Sequence, residues 1–192
     1  MKNPIRLFDR WFRQAKKIRG LMLPEAMCVS TVGLKGDPEG RVILLKGYNA
    51  RGFVFYTNLR SPKSSALKRR PVASLTFYWE GLRRQVRITG RVQPVSTREA
   101  DDYFRTRPRG SQIAAWASNQ SRPIQNRNEL LDRVTHFKKI FAGKEVPRPD
   151  FWSGWRVVPS RMEFWQEQPS RLHDRFLYVK RKNSWKITRL AP

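Results

Sequence analysis

Turn signals recur so closely along this chain that few helical crossovers fit between its strand-like segments. "AMCVSTVG" reads as a strand and "GDPEG" as the turn after it. "RVILLKGYN" and "GFVFYTN" read as strands joined through "NARG", a hairpin signal. "VASLTFYW" and "RRQVRITGRVQPV" form another pair across "EGL", with Val86, Ile88 and Val92 on one face of the second. Past a Pro-rich stretch, "KEVPRPDFWSG", come "WRVVP", "RMEFWQE" and "RFLYVKR…SWKITRL", the last a terminal hairpin turning at "RKNS". Helical spacing is confined to a few places. "PIRLFDRWFRQAKKIRG" sets Phe8, Trp11, Phe12, Ala15 and Ile18 on one face, and Gly20 can end that helix. "SPKSSALKRR" has Ser61 as N-cap and Pro62 in the first helical position. Ser96 and Glu99 have capping-box spacing at the head of "STREADDYFRTR", and "GSQIAAWAS" reads as a short helix. "NELLDRVTHFKKIFAG" is the clearest helix, with a stripe of Leu130, Val134, Phe137 and Phe141 closed by Gly143. Strands dominate and βαβ alternation is scarce. The pattern predicts an antiparallel barrel decorated with helices rather than a doubly wound sheet.

Composition narrows the class. At 192 residues with 39% hydrophobic and 12% aromatic side chains, the chain can bury a core without disulfides. No apolar run approaches the roughly 20 residues that span a bilayer. The N-terminus lacks a signal-peptide core, and Cys28 stands alone, inside a strand where it reads as a small core residue. These features fit a cytoplasmic protein. Forty Lys and Arg against fifteen Asp and Glu give +25, a field that attracts polyanions of any kind. The cations are spread along the whole chain, so charge alone does not separate a nucleic-acid binder from an enzyme acting on small phosphorylated molecules.

The usual chemical motifs are missing. There is no glycine-rich phosphate loop and no cluster of metal ligands, and His136 reads as a helix-surface residue. What remains is cationic and polar groups at element ends. Arg41 and Lys46 bracket four apolar residues, and on a regular strand they point to opposite faces. Thr57 and Asn58 precede a helix start that carries Lys63 in its first turn, an arrangement suited to phosphate and also common as plain solvated structure. Tyr103 and Arg107 share a helix face, with Ser111 just beyond. In "SRLHDRFLY", Arg171, His173 and Arg175 alternate, which on a strand puts all three on one face. Such a face is either solvated or turned to an anion.

Taken together, these segments resemble the pyridoxine 5′-phosphate oxidase family from about Pro4 to Pro192. The motifs that carry the resemblance are "RVILLKGY", "FVFYTNLRSPK", "RQVRITG", "YFRTRPRGSQIAAWAS", "FWSGWRV", "EFWQ" and "RLHDRFLY…WKITRLAP". The resemblance implies a mainly β, FMN-binding split β-barrel of Greek-key type, one domain over residues 1–192. It implies a dimerisation region from about 151 to 192 and a homodimer with flavin sites at the subunit interface. It implies oxidation of pyridoxine or pyridoxamine 5′-phosphate to pyridoxal 5′-phosphate, with hydride passing from C4′ to flavin N5 and dioxygen reduced to hydrogen peroxide. Carried over by motif, Arg41, Val42, Ile43, Leu44, Leu45 and Lys46 line the flavin site, joined by Tyr56, Thr57 and Lys63. Gln85, Gln120, Ser121, Trp165 and Arg175 complete it. Lys46, Tyr103, Arg107 and Ser111 hold the substrate phosphate, while Arg171 and His173 lie against the pyridine ring as the catalytic pair. On this reading the alternating face meets two anionic ligands, which removes its like-charge repulsion.

Two departures stand out. Pro62 occupies a position where the family often has a phosphate-binding arginine, and Arg60 is the nearest candidate to replace it. The chain also begins at its first helix, without the upstream segment that helps cover the substrate in relatives, so a more open site is expected. Two other readings compete. A sister flavin oxidase acting on another ring, as in phenazine biosynthesis, should lose parts of the substrate-phosphate set, which is intact here. A basic nucleic-acid-binding protein would use the +25 charge but leaves the ordered motifs unexplained, so nucleic acid enters only as non-specific binding.

Overall fold

The computed structural model describes residues 3–192. Helix α1 (Pro4–Ala15) starts where Asn3 Oδ1 accepts the Ile5 N–H at 2.9 Å, with proline in the first turn. Leu7, Phe8, Trp11, Phe12 and Ala15 form its buried stripe. Phe8 is fully buried, edge-on to Phe53 at 4.9 Å and to Phe77 at 5.2 Å, so α1 plugs the sheet's core. The helix is shorter than expected: it ends at Ala15, and Gly20 instead takes φ +88° in the turn that follows.

Among the described residues nine strands form one antiparallel sheet: β1 (Ala26–Val32), β2 (Pro38–Leu44), β3 (Gly47–Asn49), β4 (Gly52–Asn58), β5 (Val72–Trp79), β6 (Arg84–Pro94), β7 (Trp152–Gln166), β8 (Asp174–Lys180) and β9 (Trp185–Leu190). The order is β2-β1-β5-β6-β7-β4-β3, with β8 on β7 and β9 on β8. Strand β7 makes the split. Along one edge it pairs with β6 throughout; on the other it pairs first with β4, through Trp152–Val157, and then with β8, through Arg161–Gln166. The expected antiparallel, helix-decorated split barrel is what the chain forms.

Three local expectations need correction. "WRVVP" and "RMEFWQE" are one strand, not two. Pro159 cannot donate to the ladder, and it falls opposite Gly90, where the β6–β7 register shifts. A Cβ on Gly90 would sit 1.9 Å from the Val158 carbonyl oxygen, so only glycine permits that approach. "RVILLKGYN" is broken: β2 stops at Leu44, Leu45 turns into the core, and β3 starts at Gly47. Cys28 lies in a strand but not in the core. Met27, Val29 and Thr31 point inward, so Cys28 takes the opposite, half-buried face near Ser30.

Four helices complete the fold: α2 (Pro62–Arg69), α3 (Thr97–Arg105), α4 (Arg109–Ala117) and α5 (Arg127–Ile140). A second apolar cluster of Phe104, Ile113, Val146 and Trp152 ties α3 and α4 to the start of β7, and Val134 and Phe137 of α5 pack on it with Phe141 at the helix C-cap. The capping box is half formed: Ser96 Oγ accepts the Glu99 N–H at 3.2 Å, while the Glu99 carboxylate turns to Arg156 at 2.5 Å.

Candidate active site

A cavity of about 660 Å³ opens beside the free edge of β2, which pairs only with β1. Four consecutive residues, Arg41 to Leu44, line it, as a strand presenting its unpaired edge should. The end of β4 adds Tyr56 and Thr57, and the first turn of α2 adds Lys63. Lys46 also lines it. The two-face argument for Arg41 and Lys46 therefore fails, because β2 ends between them and the chain crosses over to pair with β4.

Lys63 is buried, and its Nζ donates to Thr57 Oγ1 at 2.7 Å, Gln120 Oε1 at 2.9 Å and Ser61 Oγ at 3.1 Å. All three acceptors are neutral. Burial, and secondarily the nearby Arg41 charge, lower its pKa to about 8. Arg41 itself is held by Thr31 Oγ1 at 2.6 Å and Glu39 at 2.6 Å. On the far wall Arg107 lies 4.6 Å over the Trp152 ring, and its Nη1 is buried with no hydrogen-bond partner among the described residues. Burial lowers its pKa. Tyr103 stacks on Tyr56 with ring centroids 4.1 Å apart. Burial pushes the Tyr56 phenol up to about 12, and the Tyr103 phenol is raised by the same cause, so both remain O–H donors at neutral pH. Arg41, Lys46, Lys63 and Arg107 thus face a cavity lined by no Asp or Glu. An anionic, phosphorylated aromatic molecule fits that donor set, since it would pair the Lys63 and Arg107 cations and stack on the ring wall.

Of the residues expected in the site, Leu45 is in the core and Ser111 sits in the first turn of α4, outside the cavity lining. A second group gathers elsewhere. Gln85, Trp165 and Arg175 are register partners across β6, β7 and β8. His173 packs against Trp165 with centroids 4.7 Å apart. Trp152 lines the cavity and Trp165 anchors this second group, at opposite ends of β7. At about 3.3 Å per residue that is roughly 40 Å of strand. Within one chain the expected site is therefore in two parts.

The alternating face is also not one strand. Strand β8 begins only at Asp174; Arg171 ends a 3₁₀ turn (Pro169–Arg171) in which Ser170 and Arg171 both adopt left-handed backbone, φ 54° and 60°. Arg175 finds its counter-charge inside the chain. Its Nε and Nη2 donate to Glu163 Oε1 at 3.0 and 2.8 Å, and Arg87 approaches the other carboxylate oxygen at 3.5 Å. Arg60, the nearest candidate for the missing arginine, pairs with Asp150 at 3.7 Å and lies over Phe151, outside the cavity lining. Trp152 was not singled out from the sequence. A tryptophan at a strand start carries no periodic signal, and only the fold sets it under Arg107.

Fold and site together define a split-barrel protein whose cavity suits a phosphorylated aromatic ligand. The chain belongs to the pyridoxamine 5′-phosphate oxidase family: the profile of that description matches residues 15–141, and that of the pyridoxine 5′-phosphate oxidase C-terminal dimerisation region matches residues 152–192. It is 47% identical over 190 residues to a pyridoxine/pyridoxamine 5′-phosphate oxidase of Psychromonas ingrahamii, covering 99% of this chain and 87% of the relative. A protein of that name from Myxococcus xanthus is 50% identical over 190 residues, covering 99% of this chain and 92% of its own. Among solved structures, PhzG from Burkholderia lata 383, in complex with tetrahydrophenazine-1-carboxylic acid, superposes with a TM-score of 0.92 at 31% identity, covering 100% of this chain and 94% of that one. A pyridoxamine 5′-phosphate oxidase-related, FMN binding protein from Nostoc punctiforme shares the fold, with a TM-score of 0.78 at 15% identity and all of both chains covered. No helix among the described residues is long and apolar enough to cross a membrane.

Proposed function

We propose that this chain is an FMN-dependent oxidase that converts pyridoxine 5′-phosphate or pyridoxamine 5′-phosphate to pyridoxal 5′-phosphate. The observation that carries the reading is the uncompensated charge of the cavity, where the buried Lys63 and the half-buried Arg107, whose Nη1 is itself buried, have no carboxylate partner among the described residues. Cofactor and substrate each bring one phosphate. Lys63, with Thr57, Gln120, Ser121 and the Arg41–Lys46 edge, holds the cofactor. Lys46, Tyr103 and Arg107, with Ser111 close by, hold the substrate phosphate. FMN, when bound, supplies at N5 a hydride acceptor that dioxygen reoxidises with release of hydrogen peroxide. The protein's own work is alignment and charge pairing. In the homodimer that the C-terminal match supports, the second group, Gln85, Trp165, Arg171, His173 and Arg175, completes the cavity of the partner subunit.

The test is direct. Purified protein with FMN and pyridoxine 5′-phosphate in air should yield pyridoxal 5′-phosphate, followed by absorbance, with matching peroxide. Arg171→Ala with His173→Ala should abolish it. Flavin binding without product would keep the cofactor assignment and reject the substrate. The likeness to PhzG favours one competing reading, oxidation of a ring that bears a carboxylate. Turnover of tetrahydrophenazine-1-carboxylic acid faster than of pyridoxine 5′-phosphate would establish it instead.

A further inference from the structure

The loop between β7 and β8 fixes more than the position of His173. The backbone N–H of Gln168 donates to His173 Nδ1 at 3.2 Å. An imidazole nitrogen that accepts a hydrogen bond carries a lone pair and no proton, so the ring proton of neutral His173 sits on Nε2. The contact is built in from several sides. Gln168 is pinned to the first residue of β8 by its own side chain, whose Nε2 donates to Asp174 Oδ2 at 2.7 Å. Asp174 is held in turn by Arg189 at 3.2 Å. The left-handed pair Ser170 and Arg171 doubles the chain back, and Leu172 N–H closes the turn on the Pro169 carbonyl at 3.1 Å. Trp165 covers one face of the imidazole.

We infer that His173 acts as a hydrogen-bond donor to the substrate through Nε2–H, and not as a general base. This rests on the reading above that places His173 against the substrate ring. A base needs a free lone pair aimed at the proton it removes. Here Nε2 already bears a proton, and the Nδ1 lone pair is occupied by the Gln168 backbone N–H. The neighbouring Arg171 guanidinium offers donors only. The side chains placed at the reacting carbon therefore present N–H groups alone, and solvent water is left to accept any proton the substrate gives up. The favoured group at that carbon is one with a lone pair to offer, an alcohol oxygen or an uncharged amine, rather than an ammonium.

The chain has only two histidines, which makes the tautomer directly readable. Long-range ¹H–¹⁵N correlation spectra of the flavin-loaded protein, with His136→Gln to assign the signals, should show His173 as the Nε2–H tautomer at neutral pH. A Nδ1–H tautomer or an imidazolium would overturn the inference. Steady-state rates on pyridoxine 5′-phosphate give an independent arm. His173→Gln, which keeps an amide N–H near the Nε2 position, should stay within about tenfold of the parent in kcat/KM. His173→Ala should fall well below it, and His173→Glu, which can only accept or act as a base, should be no better than alanine. A glutamate variant faster than the glutamine variant would overturn the donor role. If His173→Ala turns over like the parent while the Nε2–H tautomer is observed, the placement of His173 in the substrate site is what fails.

Discussion

Lys63 is an ammonium buried among neutral oxygens, and its lowered pKa has two measurable consequences. The free side chain titrates near 10.5, and in the fold near 8. Between those values the unfolded chain binds a proton that the folded chain has lost, so the stability of the ligand-free protein should rise with pH across that window. A bound phosphate restores the proton. FMN binding should therefore take up a proton, and weaken, as pH rises above about 8. Fluorescence titrations of FMN across pH should show this, and Lys63→Met should remove the pH dependence along with most of the affinity. Arg107 behaves differently, since its buried Nη1 is unpaired. Arg107→Met should raise the KM for the phosphorylated substrate on the order of tenfold to a hundredfold. The same change should leave the thermal midpoint of the ligand-free protein unchanged or higher, because it removes a half-buried charge with no counter-ion, whose Nη1 has no hydrogen-bond partner among the described residues.

Helix α3 carries Tyr103 into the cavity and leads to Arg107, so its anchoring bears on the site. Two ion pairs tie it to the chain around β7: Arg156 with Glu99 at 2.5 Å and Arg148 with Asp101 at 2.6 Å. The Arg156 side chain is only 4% exposed. Glu99→Ala would leave that guanidinium buried and unpaired, and should cost about 3 kcal/mol in denaturant unfolding. Arg156→Met added to Glu99→Ala should recover much of the loss, which a simple loss of helix capping would not allow. Element faces were readable beforehand wherever periodicity is local. Val86, Ile88 and Val92 are all buried, and three of the four residues expected in the α5 stripe, Val134, Phe137 and Phe141, pack half-buried on the second cluster. The errors fell where a non-local partner decides. Pro159 ends no strand because a glycine in the neighbouring strand lets the ladder shift past it.

At the scale of the molecule, one chain holds the cavity and the β6–β8 group at opposite ends of β7. If each flavin is clasped by the cavity of one subunit and the β6–β8 group of the other, two inactive variants should complement. Lys63→Met damages the cavity, and Arg175→Ala damages the β6–β8 group. Unfolded and refolded together, they should form heterodimers in which one site carries both lesions and the other none. With random pairing about a quarter of the parent activity should return. Sites built within single subunits would return none. The separate proteins, refolded alone, provide the baseline.

The sequence by itself determined the class of fold, because side-chain direction alternates locally along strands and recurs locally along helices. It also determined the chemistry on offer, a wealth of cations and aromatic rings set at element ends, and its ordered motifs pointed to the family. Which of those groups meet was decided only in three dimensions. Arg41 and Lys46 share a cavity because a strand stops between them. Arg175 is neutralised by Glu163, which no spacing rule links to it, and Trp152 supports Arg107 from a distant strand. His173 accepts a hydrogen bond from the Gln168 N–H across a loop in which two residues adopt left-handed conformations. Periodicity records which way a side chain points from its own element. What stands opposite depends on strand register and loop geometry, and those are set by pairings between distant segments of the chain.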